Sequence, residues 1–134
     1  MDIKDFSDFP VISLVLYFNR AIDDKHWLEA IVLAQMYIET QLRTLLGKDI
    51  RKNKDNISIY ALADAALKNN KIDGDLYGRI KEFNSVRNTA VHHLSLGNIT
   101  YDGLEQSAKQ AGSLINELQA LCTYKMYPRQ DIIN

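Results

Sequence analysis

Residues 87–93 bring together side chains that are suited to acid–base chemistry. The segment runs Arg-Asn-Thr-Ala-Val-His-His, so an arginine, a carboxamide and two of the chain's three histidines lie within two helical turns. Histidine titrates near neutral pH and can transfer protons, while arginine offers fixed hydrogen-bond donors to a phosphate that develops negative charge. These residue types suit phosphodiester cleavage by a ribose 2′-hydroxyl, which needs a base, an acid and an oxyanion stabiliser but no metal.

The spacing of these residues limits how they could form one site. On a straight α-helix Asn88 and His92 share a face, whereas Arg87 and His92 diverge by roughly 140°. Arg87 and His92 can converge only if the helix ends or bulges between them, or if two copies of the segment meet across a symmetric dimer. We favour the dimer, in which the arginine of one chain faces the histidine of the other.

The elements that must position this segment are predicted to be helices. Apolar residues recur with a helical period over almost the whole chain, and no stretch alternates polar and apolar residues for long enough to predict a strand. We predict five helices, at about 8–21, 25–46, 58–67, 75–94 and 101–122. The first is capped by Ser7 or Asp8, the third by Ser58, and an Asp73-Gly74 turn precedes the fourth. Short links favour an antiparallel bundle, so the predicted fold class is all-α.

The fourth helix places a charge where its apolar stripe should continue. The stripe formed by Leu76, Ile80 and Phe83 passes almost directly through Arg87. Such an arginine is either part of a functional site or one half of an ordinary buried ion pair, for which Glu39 on the second helix is the candidate. For His92 the structural alternative is a hydrogen bond to the last carbonyls of the helix.

Composition and length bound the remaining possibilities. The 134 residues predict one domain over 1–134, with a helical core at about 10–122 and a C-terminal tail at 123–134. Sixteen basic against seventeen acidic residues give a net charge of −1, so no whole-molecule field attracts nucleic acid or membrane. Cys122 is the single cysteine, and neither a signal peptide nor a membrane span is evident, which predicts a cytoplasmic protein.

Two further features concern ligands. We find no Gly-rich phosphate loop and no His, Cys and carboxylate spacing typical of metal sites, so no metal and no cofactor are expected. The loop after Gly47 is basic, and it either contacts an RNA backbone or is a solvated turn. Its cationic residues are Lys48, Arg51, Lys52 and Lys54.

The motif resembles a known family. Arg87-Asn88, followed after three residues by His92, is similar to the Arg-x4–6-His motif of HEPN domains, in which a polar residue, often asparagine, follows the arginine. The long second helix and the closing amphipathic helix resemble the same family, over about residues 10–122. The resemblance implies a helical bundle that dimerises through the motif region. Many HEPN proteins are metal-independent ribonucleases of toxin–antitoxin, abortive-infection or CRISPR-linked defence systems.

The resemblance also implies roles for individual residues. Arg87 would grip the scissile phosphate, His92 would act as acid or base, and Asn88 would orient or hydrogen-bond. Apart from the resemblance, His93 and Glu39 are possible supporting residues. The chain would then be a homodimer that cleaves RNA to 2′,3′-cyclic phosphate ends, with an antitoxin as a partner.

Two alternatives stay open. The chain could be a non-catalytic HEPN-like subunit that pairs with a nucleotidyltransferase-type protein or a larger defence complex. It could also be a plain helical dimerisation module, in which case Arg87 should find all its partners within one chain.

Overall fold

The described part of the chain is almost entirely helical. The computed structural model describes residues 9–47 and 57–126. Within them lie five α-helices and one short 3₁₀ helix: α1 (Phe9–Asp23), α2 (Trp27–Leu45), α3 (Ile59–Lys68), α4 (Gly74–Ser95), the 3₁₀ helix (Tyr101–Leu104) and α5 (Glu105–Met126). The all-α bundle predicted from the sequence is confirmed. The predicted caps of α1 at Ser7 or Asp8 lie outside the described residues. The last helix continues to Met126, so residues 123–126 of the predicted tail are helical, and residues 127–134 lie outside the described residues.

The core forms around α2, which packs against α1, α3, α5 and the 3₁₀ helix. The residues that the helical period predicted on the inner face of α2 are all buried: Trp27, Ile31, Ala34, Ile38, Leu42 and Leu45. The same holds for the predicted stripe of the last helix: Leu104, Ala108, Ala111, Ile115, Leu118 and Cys122. Burial of these two stripes against each other and their neighbours is the main stabilisation of the fold.

Contacts between α2 and α5 fix their relative direction. Near the start of both helices, the ammonium of Lys109 lies 5.6 Å from the ring centroid of Trp27. Near their ends, the Cys122 thiol donates to the carbonyl of Gln41 over 3.8 Å. The two helices therefore run parallel.

Four of the helices end in the same way, with one residue in the left-handed region. These residues are Lys25 (φ 61°), Gly47 (φ 74°), Asn70 (φ 58°) and Gly97 (φ 76°). After α1, α3 and α4 a backbone N–H one residue further on bonds the carbonyl five residues back, which is the Schellman pattern. Glycine and asparagine adopt this conformation readily, whereas lysine is strained there.

Two helices begin with side-chain caps. The Ser58 hydroxyl accepts from the backbone N–H of Ala61 over 3.1 Å, as predicted. Asp73 does the same for α4, because its carboxylate accepts from the N–H of Leu76 over 2.8 Å. Gly74 is consequently the first residue of α4 rather than part of a separate turn. Because this cap fixes where α4 begins, it also fixes the position of residues 87–93 along the helix.

None of the described helices combines the length and the apolar character needed to cross a bilayer.

Candidate functional site

Residues 87–93 lie inside a continuous helix. α4 runs without interruption to Ser95, and the chain leaves it only through Leu96 and the left-handed Gly97. Arg87 and His92 therefore point away from each other by the full angle of a regular helix. One chain could bring Arg87 and His92 together only at a helix end or a bulge between them, and α4 has neither at that place. A site that uses both residues needs a second α4.

Arg87 is half-buried on the inner side of α4 and its hydrogen bonds are incomplete. Its Nη1 donates to the Oδ1 of the neighbouring Asn88 over 2.8 Å. Its Nε is buried and has no hydrogen-bond partner among the described residues. A buried donor without an acceptor costs about 1–3 kcal/mol, so an acceptor supplied by a ligand or a second chain would remove that cost.

Glu39 is not the partner of Arg87, contrary to the ion pair suggested by the sequence. Its carboxylate pairs with Arg43, one turn further along α2, at 3.4 Å between Oε1 and Nη2. The i and i+4 positions of one helix are neighbours, so this local pair forms in preference to one between helices. The buried ion pair between Arg87 and Glu39 is therefore not formed, while a supporting role for Glu39 stays a prediction.

The two histidines of the segment are exposed to solvent. The ring centroids of His92 and His93 lie 6.0 Å apart with the rings tilted by 56°. Neither imidazole bonds the last carbonyls of the helix. The carbonyl of His92 is instead satisfied by the Ser95 hydroxyl over 2.7 Å and by the N–H of Leu96 over 3.2 Å. The purely structural role considered for the His92 side chain is therefore not the one observed.

Asn88 and His92 share an exposed face, one turn apart, as their spacing predicts. The side-chain carbonyl oxygen of Asn88 accepts a hydrogen bond from Arg87, so the guanidinium and the carboxamide are coupled. This bond links the half-buried side of α4, where Arg87 lies, with the solvent-facing side, where His92 lies. An incoming phosphate at this edge of the helix would meet both the arginine and the carboxamide.

One residue near the segment was missed by the sequence analysis. Asn84 is only 4% exposed, although it is polar, and it lies on the same inner side of α4 as Arg87. The sequence feature that indicates a role for Asn84 is its position one turn before Arg87 and directly after the apolar Phe83. Buried polar side chains close to a site often hold its residues in position.

Two further features of the chain concern ligands. The basic residues Lys48, Arg51, Lys52 and Lys54 lie outside the described residues, so their proposed contact with RNA stays a prediction. Within residues 9–47 and 57–126, no group of three or more His, Cys, Asp and Glu side chains is arranged to hold a metal ion.

Comparison with known proteins gives no independent support for a family. The chain matches no protein-family model, no curated protein and no solved structure. The resemblance to HEPN domains therefore rests on Arg87, Asn88 and His92 and on their helical setting.

Proposed function

We propose that the protein is a metal-independent endoribonuclease of the HEPN type, with a composite site where two copies of α4 meet. The observation that carries the proposal is the state of Arg87, whose buried Nε lacks an acceptor while its Nη1 is tied to Asn88. Arginine presents a planar fork of donors that matches a phosphate. Because the Nε atom is itself shielded from solvent, a scissile phosphate would bind the Nη donors that remain beside the bond to Asn88.

The chemistry follows from the residue types. The 2′-hydroxyl of the substrate loses its proton to one His92 and attacks the adjacent phosphorus. The bond from phosphorus to the 5′-oxygen then breaks, and a protonated imidazole gives that oxygen a proton. Arg87 stabilises the charge that develops on the non-bridging oxygens. The products are a 2′,3′-cyclic phosphate and a 5′-hydroxyl.

The two-fold axis accounts for the separation of Arg87 and His92 on one helix. In a symmetric dimer, any contact from Arg87 of one chain to His92 of the other occurs twice. Within each of the two sites, His92 and the adjacent His93 of the same chain provide the imidazoles for a base and an acid. From the HEPN resemblance we further propose a cytoplasmic role in a toxin–antitoxin or phage-defence system.

The first test is cleavage of labelled RNA in EDTA by the wild-type protein and by Arg87→Ala and His92→Ala. We expect 2′,3′-cyclic phosphate ends from the wild type, and a loss of at least about 100-fold in each variant, since each removes one transition-state interaction. His26→Ala is the matched control, because His26 is also an exposed histidine and pairs with Glu29 at the start of α2. Circular dichroism would verify that all variants are folded.

Retained cleavage in either site variant would exclude this mechanism. Failure of a well-folded wild-type dimer to cleave any RNA would favour the second candidate, a non-catalytic HEPN-like subunit. One observation supports that candidate: among the described residues, nothing hydrogen-bonds the His92 imidazole to orient it as a general base usually is. Co-purification with a nucleotidyltransferase-type protein encoded beside it would then be the decisive measurement.

A further inference from the structure

We infer that Lys81 binds a phosphate of single-stranded RNA, so that the substrate strand runs along α4 from the proposed site toward the start of the helix. The inference extends the proposed ribonuclease function and rests on it for the position of the cleaved bond. It assigns a binding role to residues that lie outside the 87–93 segment.

The first observation is a continuous polar stripe on α4. It consists of Tyr77, Lys81, Ser85, Asn88 and His92. Successive members are three or four residues apart, so their side chains are neighbours on one face of the helix. Tyr77 is half-buried and the other four residues are exposed. Lys81 therefore lies on the same face as the two proposed site residues that face solvent.

The second observation is that Lys81 is held in position. Its ammonium donates to the Tyr77 hydroxyl over 3.1 Å and lies 5.0 Å from the centroid of the same ring. It also lies 6.0 Å from the ring centroid of Tyr60 on α3. The hydrogen bond to Tyr77 also raises the pKa of Lys81. A lysine held in this way loses less side-chain entropy when it binds a phosphate.

The third observation concerns the nearby charges. The Tyr77 hydroxyl donates to the carboxylate of Asp64, so Asp64 orders Tyr77 and partly offsets the charge of Lys81. Two N–H donors of the Lys81 ammonium remain after its bond to Tyr77. Arg79 lies off the stripe and is engaged by Asp75 and Glu117. Lys81 is thus the one cation of the polar stripe.

The spacing fits a nucleic-acid strand. With a rise of 1.5 Å per residue, Lys81 lies about 10 Å along the axis from Asn88 and about 16 Å from His92. At roughly 3.4 Å per stacked nucleotide, these distances correspond to about three to five nucleotides from the cleaved bond. A single strand laid along α4 would therefore present a phosphate at Lys81 while its scissile phosphate is at the motif.

The test is the affinity of the full chain for a fluorescent single-stranded 12-mer made of 2′-O-methyl RNA, which cannot be cleaved by 2′-hydroxyl attack. We expect Lys81→Ala to weaken binding about three- to tenfold at low salt. The slope of log affinity against log salt should fall by about 0.7, the value for one phosphate contact on a single strand. Lys81→Arg should restore most of the affinity because it keeps the charge.

Lys109→Ala is the matched control. Lys109 is also an exposed lysine beside an aromatic ring, that of Trp27, but it lies on α5 and pairs with Glu105. Equal affinity of the wild type and Lys81→Ala would overturn the inference, and so would an equal loss in Lys109→Ala or no binding by the wild type. The cleavage assay is separate: binding through Lys81 without cleavage would reject the ribonuclease and leave Lys81 as part of an RNA-binding face.

Discussion

Tyr37 and Arg87 both carry buried polar atoms, but these atoms differ in whether they have a hydrogen-bond partner among the described residues. Tyr37 is fully buried in α2, where its hydroxyl accepts from the Nε2 of Gln41 over 2.9 Å. The Nε of Arg87 has no acceptor within residues 9–47 and 57–126. A polar atom that is satisfied inside the core stabilises and specifies the fold, whereas an unsatisfied one at the surface of the core marks a place for an external acceptor.

The burial of Tyr37 predicts a loss of stability at alkaline pH. Burial raises the pKa of Tyr37 to about 12, an effect larger than the lowering by the bond from Gln41. An unfolded chain ionises its tyrosines near pH 10, so the stabilisation is complete below about pH 10 and is lost as pH rises toward 12. Urea unfolding between pH 9 and 11.5 should show this decline.

Tyr37→Phe separates this effect from other alkaline titrations. The variant should be about 1–3 kcal/mol less stable at neutral pH, because Gln41 loses its partner in the core. Its stability should nevertheless fall less between pH 10 and 11.5 than that of the wild type, since the buried ionisable hydroxyl is gone. An identical decline in both proteins would show that Tyr37 does not cause it.

At the scale of the helices, the left-handed residues that end α1 and α4 decide where the bundle turns. Lys25 ends α1 and leads directly into α2, although a lysine is strained at φ 61°. Gly97 ends α4 four residues after His93, at φ 76°, and a Cβ added there would meet nothing within 4 Å. At both positions the cost or gain of a substitution should therefore come from the backbone alone.

These two positions predict opposite changes in stability. Lys25→Gly should raise the free energy of unfolding by about 1 kcal/mol, since it relieves the left-handed strain. Gly97→Ala should lower the free energy of unfolding by about 1 kcal/mol, because alanine is strained at this left-handed φ. Urea titrations of both variants would measure the effects, with Gly78→Ala as a control inside α4, where added helix propensity should stabilise instead. A destabilised Lys25→Gly would contradict the argument.

At the scale of the whole molecule, the continuous α4 implies that one chain holds only part of the proposed ribonuclease site. Arg87 and His92 lie on one uninterrupted helix and face different directions. A symmetric dimer solves the problem only if each site takes its arginine from one chain and its histidine from the other.

Mixing two inactive variants tests that arrangement directly. A dimer of Arg87→Ala with His92→Ala contains one site with both residues intact and one with neither. After equal amounts are unfolded and refolded together, half of the dimers should be mixed, so about a quarter of the wild-type activity should return. No recovery, in a mixture shown by mass spectrometry to contain mixed dimers, would contradict a site built from Arg87 of one chain and His92 of the other.

The sequence by itself determined most of the secondary structure and the core. Helical periodicity predicted the buried faces of α2 and α5, and residue types predicted the cap at Ser58 and the stop at Gly47. These features depend on residues within a few positions of one another, so they can be inferred from local sequence. The same local spacing predicted that Asn88 and His92 would share a face, and it suggested the HEPN family, which stays a prediction.

Only the tertiary structure decided which polar groups meet. It gave Glu39 to Arg43, left the Nε of Arg87 buried without a described partner, and joined Asp64, Tyr77 and Lys81 across α3 and α4. The physical reason is that these outcomes depend on how far each helix is rotated about its axis when its apolar stripe is buried. Periodicity specifies which side of a helix faces inward, but the neighbour that each polar side chain then meets is set by the packing of the whole bundle.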